Sequence, residues 1–472
     1  MSSNPFKKTF VVDTSVIFHD PFFYKNFGDN DIVIPGEVFG EIDKYKTEPS
    51  FRGKAARSFA RTLESLQRQG NLREGVPHSE NSGKIYVSLE DDLRGFPGLK
   101  RLGLGDSDTR IIETAYALQK KFSEKADDKD KKDISGHVVI VLSKDRNLRI
   151  AAGLLNIFTE DYRYDRVDPE NIYYGIKRVD FTVDDGMKIY DVEEFSSLTP
   201  NEFVIDSNDS VFEAINIGGR KKRILRSLTS HEAFGISGKN PEQIAALYVL
   251  MNPGIQLVTL FGEAGTGKTL LALAAGLQQV YVPTLNKETR YYNRLFAAKP
   301  IVPVGNDIGF LPGLKESKLL PWLQPIFDNL ESLIEIKKNA GEDIYRSQGK
   351  KPKKVETALQ FYEMLAALDL IQLEAMTYVR GRNIARQYMI IDEAQNLTPH
   401  EVKTILTRAG EGTKVVFTGD PYQIDRQYLD PYSNGMSFLS KKFRGWPKYA
   451  SIQFNRGERS ELASEAIARL YR

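Results

Sequence analysis

The amino-acid sequence predicts an α/β protein made of two parallel-sheet domains with a small β-rich connector between them. The chain has 472 residues, about three times a common domain length, so more than one core is expected. Short apolar runs alternate with helical patterns in residues 1–165 and again in residues 231–472, as is typical of parallel sheets. Residues 166–230 contain only short alternating runs, which favours a β-rich connector.

Composition and charge exclude several kinds of site. The chain contains no cysteine, which excludes disulfides, thiolate nucleophiles and iron–sulfur clusters and favours a cytoplasmic location. Its five histidines show no ligand spacing, so any metal is expected on carboxylates. The formal net charge of +2 gives no strong overall attraction to nucleic acid or membrane, so a basic patch must be local. The longest uncharged stretch, 269–286, contains Pro283 and predicts a buried helix and not a membrane span.

The elements of the first domain follow from short apolar runs separated by helical patterns. Strands are predicted at Phe10–Val12, Ile32–Ile34, Lys84–Leu89 and His137–Leu142. Helices are predicted to begin at Pro35 and to cover Ala55–Gln69 and Asp108–Phe122. The segment Lys121–Asp133 is dominated by charged residues of both signs, which predicts a solvated loop.

The connector and the second domain have different sequence patterns. In the connector, strands are predicted at Phe181–Val183 and Glu202–Ile205, and the basic cluster Gly218–Arg223 either contacts phosphates or forms a solvated turn. Strands of the second domain are predicted at Gln256–Phe261, Tyr388–Ile391 and Lys414–Thr418. Each of these strands ends in polar residues, at the position where ligands bind on open parallel sheets.

Four acidic residues of the first domain stand at or near strand ends or helix starts. Asp13 follows the first strand, Glu41 lies in the next helix, Asp108 begins a later helix, and Asp145 follows the last strand. Such positions converge on one edge of a parallel sheet, and clustered carboxylates repel unless a hard divalent cation holds them. This arrangement suits metal-assisted phosphodiester hydrolysis by a bound water. Helix capping and surface exposure are the alternatives, and Asp106 competes with Asp108 as a ligand.

A phosphate-binding pattern, G-x-x-x-x-G-K-[ST], is matched at every fixed position by residues 262–269. The segment follows an apolar strand and opens a helix rich in leucine and alanine, which is the context that the motif requires. Backbone N–H groups would surround phosphate oxygens, Lys268 would supply a charge, and Thr269 would offer its hydroxyl to Mg²⁺. The residues predicted to bind nucleotide are Gly262, Glu263, Ala264, Gly265, Thr266, Gly267, Lys268 and Thr269.

Four further residues are predicted to complete the nucleotide site. Asp392 follows an apolar strand and is suited to the magnesium shell, and Glu393 beside it can orient the attacking water. Gln423, in Thr418-Gly419-Asp420-Pro421-Tyr422-Gln423, resembles the polar sensor that helicases place near the γ-phosphate. Gln243 lies upstream of the phosphate loop and resembles a glutamine that binds the adenine edge. An ordinary turn is the alternative for both glutamines.

Both halves of the chain resemble known families. Residues 1–165 resemble the PIN ribonuclease domain through Asp13-Thr14-Ser15, Ile34-Pro35 followed by Glu41, Asp108-Thr109-Arg110-Ile111 and Ser143-Lys144-Asp145. Residues 235–472 resemble the PhoH ATPase family through segments 299–305, 307–313, 391–398 and 457–463. The order of the two is that of PIN–PhoH fusion proteins.

The resemblance implies a PIN-like parallel-sheet domain joined through the connector to a RecA-like P-loop NTPase domain. It implies an ATP hydrolase, expected to translocate on or unwind RNA, that forms rings, expected to be homo-hexamers around single-stranded RNA. The implied metals are Mg²⁺ or Mn²⁺ at Asp13, Glu41, Asp108 and Asp145, and Mg²⁺ at Thr269 and Asp392. The resemblance implies endoribonuclease cleavage, and an RNA-binding remodeler that does not cleave is the alternative.

Two departures from the family pattern leave details open. Thr109 stands where fusion proteins often carry asparagine, so the choice between Asp106 and Asp108 stays open. Ala298-Lys299 precedes Pro300 in place of the usual Thr-Arg, which leaves any arginine contact there open.

An arginine is needed to balance charge on the γ-phosphate. The residues after 231 suffice for one ATPase core, so this arginine must come from a neighbouring subunit or from a late segment of the same chain. The candidates are Arg380, Arg382, Arg456 and Arg459. Arg459 is favoured because it lies in a family-like motif, and a solvated surface arginine is the alternative for each.

Overall fold

The computed structural model divides the chain into two compact units, Met1–Asp165 and Arg166–Arg472. It describes residues 7–48, 51–78, 83–89, 104–126, 138–163, 172–179, 198–216, 223–228, 231–282, 290–300, 315–342, 344–346, 353–376, 384–426 and 429–455. Both units are built on sheets with parallel strands, which confirms the predicted α/β class. The β-rich connector belongs to the second unit.

The first unit contains a six-stranded sheet in the order β3-β4-β2-β1-β5-β6. Its strands are β1 (Lys8–Val12), β2 (Asp31–Pro35), β3 (Val76–Pro77), β4 (Lys84–Ser88), β5 (Val138–Leu142) and β6 (Phe158–Glu160). All neighbouring strands are parallel except β3 and β4. The carboxyl ends of β1, β2 and β5 therefore lie at one edge of the sheet.

Helices cover both faces of this sheet. They are α1 (Thr14–His19), α2 (Gly36–Tyr45), α3 (Phe51–Gln67), α4 (Asp106–Ala126) and α5 (Arg146–Leu154). Side chains alternate between the faces along each strand. Val12 accordingly packs in one core with Phe59 of α3, whereas Val11 packs in the other with Ile112 of α4.

The predicted solvated loop at Lys121–Asp133 is wrong in its first part, because α4 continues to Ala126. Charged residues do not prevent a helix there, since opposite charges four residues apart support each other on its exposed face. Lys120 and Glu124 form such a pair at 3.8 Å. Residues 127–133 lie outside the described part of the chain.

The connector forms a four-stranded sheet in the order β10-β9-β8-β7. Its strands are β7 (Ile176–Arg178), β8 (Phe203–Ile205), β9 (Val211–Asn216) and β10 (Arg223–Ser227). The described connector residues contain no helix, as the short alternating runs predict. The predicted strand at 181–183 and residues 218–222 of the basic cluster lie outside the described residues.

The second unit is built around another six-stranded sheet, in the order β17-β14-β18-β19-β13-β20, with all neighbours parallel. Two short antiparallel pairs, β11 with β12 and β15 with β16, accompany this sheet. The remaining strands among the described residues are β11 (Glu232–Ala233), β12 (Ile236–Ser237), β13 (Leu257–Gly262), β14 (Arg294–Lys299), β15 (Tyr345–Arg346), β16 (Lys353–Lys354), β17 (Ile371–Ala375), β18 (Gln387–Ile391), β19 (Lys414–Gly419) and β20 (Tyr449–Phe454). The predictions for β13, β18 and β19 are confirmed.

Six helices are described in the second unit. They are α6 (Pro241–Met251), α7 (Lys268–Val280), α8 (Lys315–Asn339), α9 (Ala358–Ala367), α10 (Pro399–Leu406) and α11 (Gly435–Phe443). Leu273 of α7 packs in one buried core with Val258 and Leu260 of β13, which confirms the predicted buried helix after the phosphate loop. Among the described residues, no helix is long and apolar enough to cross a membrane.

Candidate functional site

The phosphate-binding segment forms a loop between β13 and α7. Gly265 and Gly267 adopt φ angles of 78° and 92°, a region that glycine enters without strain. A Cβ at Gly262 would lie 2.9 Å from the Cβ and carbonyl oxygen of Phe454. The glycines of the motif are therefore required by both the backbone conformation and the neighbouring strand. Glu263, Ala264 and Gly265 form the exposed part of the loop.

Lys268 and Thr266 hold this loop in shape. Lys268 is buried, and its Nζ donates to the carbonyl oxygens of Gly262 and Glu263 at 2.7 and 2.6 Å. Thr266 Oγ1 donates to the Glu263 carbonyl at 2.9 Å. The lysine charge is thus held at the loop that the motif assigns to phosphate oxygens.

Three elements of the second unit meet at Asp392. Asp392 Oδ1 accepts from Thr269 Oγ1 of α7 at 2.9 Å and from Thr418 Oγ1 of β19 at 2.5 Å. Its carboxyl group is buried at the carboxyl end of β18. The structure therefore brings together Thr269 and Asp392, the two predicted magnesium residues. These hard oxygen donors fit Mg²⁺.

Glu393 is positioned by a residue that sequence reasoning missed, Gln395. Glu393 has a φ of 52°, and its Oε2 accepts from Gln395 Nε2 at 2.6 Å. Gln395 also donates to the Gln423 carbonyl at 2.9 Å and accepts from the Asp420 N–H at 3.2 Å. Gln395 is fully buried. Through these hydrogen bonds it connects Glu393, the residue predicted to orient the water, to the loop that carries the predicted sensor Gln423. Gln395 lies inside segment 391–398, one of the segments that resemble the PhoH family, and this position is the signal that could have identified it.

The two predicted glutamines occupy different environments. Gln243 is buried, accepts from the Lys239 N–H at 3.0 Å and donates to the Thr266 carbonyl at 3.3 Å. Its amide therefore contacts the phosphate loop. Gln423 is exposed, and the contact that anchors it to Gln395 uses its backbone carbonyl.

The connector contributes Tyr174 near the phosphate loop, a contribution that has no local signal in the sequence. The Tyr174 ring packs edge-on against Phe261, with centroids 5.4 Å apart. Burial, followed by the neighbouring Tyr422, raises the pKa of the Tyr174 hydroxyl above its ordinary value. Tyr422, on the predicted sensor loop, thus lies near Tyr174 of the connector.

The predicted carboxylate site lies at the carboxyl edge of the first unit's sheet. Asp13 is buried, and its Oδ2 accepts from the hydroxyls of Ser15 and Ser143, the latter at 2.6 Å. Asp145 caps α5 by accepting from the backbone N–H groups of Asn147 at 2.7 Å and Leu148 at 3.4 Å. Helix capping was the alternative to metal binding for the acidic residues at helix starts, and the structure shows such a cap at Asp145.

Electrostatic coupling joins the four predicted carboxylates. Burial, followed by the charges of Asp13, Asp145 and Glu41 in that order, raises the pKa of Asp108 to about 6. Burial also raises the pKa of Asp13, against the hydrogen bonds from its two serines, and Glu41 adds to the rise. Asp106, by contrast, is exposed at the start of α4.

The donor chemistry of this site fits a hard divalent cation, since all four side chains offer only oxygen and repel one another. However, no group of three or more His, Asp or Glu side chains within the described ranges is arranged to hold a metal ion. The four candidate arginines, Arg380, Arg382, Arg456 and Arg459, lie outside the described residues.

Comparisons with known proteins agree with the two-unit organisation. The family model described as PhoH-like protein matches residues 235–471, and the PIN domain model matches residues 10–163. Protein PhoH2 of Bacillus subtilis (strain 168) is 39% identical over 473 aligned residues, which cover 97% of this chain and 99% of the relative. Protein PhoH2 of Thermobispora bispora is 29% identical, covering 98% of this chain and 97% of the relative. The PhoH-like protein of Synechocystis sp. is 35% identical over 164 residues, 35% of this chain and 41% of the relative.

Proposed function

Because this chain belongs to the PhoH-like protein family and carries a PIN domain, we propose that it hydrolyses ATP to translocate on or unwind RNA and cleaves RNA at a second site. The observation that carries the ATPase proposal is the pair of hydrogen bonds by which Thr269 and Thr418 converge on Asp392. This contact joins the phosphate loop to the acidic strand end, as P-loop hydrolases require.

At the ATP site, each residue has a separate task. Lys268 and the loop N–H groups bind and orient the phosphates, while Thr269 and Asp392 would hold Mg²⁺, which neutralises phosphate charge. Glu393 orients the attacking water and accepts its hydrogen bond, and Gln395 fixes the direction of the Glu393 carboxylate. Gln395 contacts the backbone of Asp420 and of Gln423 itself, which supports a role for Gln423 near the γ-phosphate. Gln243 donates to the Thr266 carbonyl of the phosphate loop and is proposed to contact adenine.

At the nuclease site, Asp13, Glu41, Asp108 and Asp145 would hold Mg²⁺ or Mn²⁺, which supplies an activated water and polarises the phosphate. Ser15 and Ser143 hold the Asp13 carboxylate in one orientation. The mutual repulsion that raises the pKa of Asp108 favours cation binding, because a cation relieves it.

One observation favours the alternative function, in which the PIN-like domain positions RNA without cleaving it. The described part of the first unit contains no arrangement of three carboxylates ready to hold a metal ion. A full-length protein that hydrolyses ATP and binds RNA, but cleaves it with neither Mg²⁺ nor Mn²⁺, would support this remodeler.

The nuclease proposal is tested with full-length Asp13→Asn. We expect loss of Mn²⁺-dependent cleavage of single-stranded RNA and unchanged ATP hydrolysis, because the two sites lie in separate units. Asp43→Asn is the matched control, since Asp43 is an exposed acid of α2 that pairs with Lys46, the residue after this helix. Retained cleavage in Asp13→Asn would contradict the assignment.

We also propose a homo-hexameric ring in which an arginine from one subunit completes the ATP site of the next. Arg459 is the first candidate, followed by Arg380, Arg382 and Arg456. Mixing Arg459→Ala subunits with Lys268→Ala subunits should recover activity at interfaces that pair an intact Lys268 with an intact Arg459. No recovery in confirmed mixed rings, or a fully active monomer, would overturn the proposal. The cytoplasmic location rests on the cysteine-free composition and stays a prediction.

A further inference from the structure

The first unit contains a cavity of 640 Å³ between α3, the segment after α1, and the end of β3. Its volume lies within the range of sites that bind small molecules. Its walls include the aromatic rings of Phe22 and Tyr24 and the side chain of His78. Nothing in the proposed ATPase or nuclease chemistry uses this cavity.

The cavity lies away from the predicted nuclease carboxylates. His78 Nε2 lies 3.2 Å from the carbonyl oxygen of Asn30, the residue immediately before the amino end of β2. Asp13 and Asp145 instead follow the carboxyl ends of their strands. In a parallel sheet these are opposite edges, about 15 Å apart for strands of this length. A ligand in the cavity would therefore be distinct from the scissile phosphate.

The charge of the lining favours an anion. Lys25 and Arg61 line the cavity, together with the hydroxyl-bearing Ser58, Thr62 and Ser65, and its described lining contains no carboxylate. Neither cation forms an ion pair with a carboxylate within the described residues. Positive groups with hydroxyl donors beside them are the chemistry that binds phosphate oxygens.

The aromatic wall adds a second feature, a surface for a flat ring. Lys25 Nζ lies 5.3 Å from the ring centroid of Phe22 and 6.0 Å from that of Tyr24. Cations interleaved with aromatic rings are typical of sites where a nucleobase stacks while its phosphate meets the cation. Phosphate alone would not require this aromatic wall.

His78 supplies the third feature, a buried and neutral ring in the lining. His78 is buried, and burial lowers the pKa of its imidazole, which keeps the ring neutral at pH 7. A neutral ring that donates from Nε2 to the Asn30 carbonyl presents Nδ1 as an acceptor. Nδ1 is buried and has no hydrogen-bond partner among the described residues. Because Nδ1 is enclosed, a ligand in the cavity would meet the ring of His78 and not this atom.

We propose that this cavity binds one nucleotide of a single-stranded RNA, with Lys25 and Arg61 on its phosphate and its base against Phe22 and Tyr24. The proposal rests on RNA being the partner in the proposed function. A free nucleoside monophosphate has the same chemistry, so the test separates the two sources.

The test uses the full-length chain carrying Asp13→Asn, which prevents cleavage, and a short single-stranded RNA containing 4-thiouridine. After irradiation, mass spectrometry locates the crosslinked peptides. We expect crosslinks on peptides that contain Tyr24 or His78. Arg61→Glu and Lys25→Glu should each lower these crosslinks about tenfold, because each removes a phosphate contact and adds repulsion. Lys120→Glu, an exposed change of the same charge on α4, should leave them unchanged.

The outcomes separate this inference from the proposed function. Crosslinks confined to the second unit, in a protein whose parent chain still cleaves RNA, would overturn the cavity proposal alone. No crosslink anywhere would overturn RNA as the partner and the cavity proposal with it. Loss of the cavity crosslinks when AMP is added at a concentration that leaves other crosslinks intact would assign the cavity to a free nucleotide.

Discussion

Arg178 of the connector donates to the buried carboxylate of Glu242 on α6 at 2.8 Å. The same guanidinium donates to Asp209 at 2.9 Å. Glu242 directly precedes Gln243, which in turn contacts the phosphate loop through Thr266. The connector is thus fastened to the helix that supports the nucleotide site, and the two belong to one structural unit.

Arg178→Ala is expected to lower the free energy of unfolding of the second unit by about 1–3 kcal/mol. The reason is that Glu242 would stay buried without its cation, although the partial exposure of Arg178 reduces the cost. Denaturant unfolding measures the change. Arg294→Ala, whose partner Asp369 is exposed, should cost less than about 1 kcal/mol. Equal costs for the two variants would contradict the importance of the buried pair.

Lys268→Ala and Glu393→Gln are expected to separate binding from turnover. Lys268→Ala should lose ATP binding and hydrolysis, because the phosphates lose their fixed positive charge. Glu393→Gln should bind ATP with unchanged affinity and hydrolyse it at least about a hundredfold more slowly, because an amide cannot accept the water's proton. Equilibrium binding and phosphate release measure the two effects. Equal loss of affinity in both variants would refute these roles.

Asp108→Asn is expected to change the pH dependence of stability. The folded-state pKa of about 6 lies above the ordinary aspartate pKa of 3.8. Between these values the folded state binds more protons than the unfolded state, so the free energy of unfolding falls as pH rises and stays low above pH 6. Asp108→Asn should remove this loss and be more stable relative to the parent protein at pH 7 than at pH 4.

Asp106→Asn is the control for this prediction, because Asp106 is exposed at the start of the same helix. At pH 7 its stability should differ from that of the parent much less than the stability of Asp108→Asn does. Addition of Mn²⁺ at pH 7 should stabilise the parent and Asp106→Asn but not Asp108→Asn, which would identify the metal ligand. The reverse pattern would assign the metal to Asp106.

Lys414→Met is expected to destabilise the second unit by about 2–4 kcal/mol. Lys414 Nζ is buried and donates to the carbonyls of Val249, Leu250 and Asn252 at 2.8, 2.9 and 2.7 Å. Methionine fills the same space but removes these three hydrogen bonds at the end of α6. The Leu250 carbonyl keeps its bond from Gln279 Nε2 and the Asn252 carbonyl keeps its bond from the Ile255 N–H, so the Val249 carbonyl loses most. Thermal unfolding of Lys414→Met and of Lys403→Met, an exposed change on α10, provides the comparison. A change no larger than that of Lys403→Met would contradict the capping role.

Local spacing in the sequence was sufficient to predict the parallel-sheet class, the strands β1, β2, β5, β13, β18 and β19, and the phosphate loop. Each of these depends on residues that are neighbours along the chain: an apolar run, a glycine pattern, an acid after a strand. Strand β20 was not predicted. It contains Ser451, a buried polar residue whose hydroxyl accepts from Thr259 at 3.0 Å and donates to the Tyr173 carbonyl at 2.9 Å. A local sequence pattern cannot reveal a hydrogen-bond partner that lies so far away along the chain.

Contacts between distant segments decided the rest of the site. Thr269 and Asp392 are 123 positions apart, and parallel strand order alone makes them neighbours. Gln395 could be matched to Gln423, 28 positions away, only once β18 and β19 were paired. Arg178 and Glu242 lie 64 positions apart in elements that looked like separate domains. Residue types and short spacing thus determined which chemistry the chain can perform, whereas packing of distant elements decided which side chains orient one another, because side-chain contacts depend on distance in space.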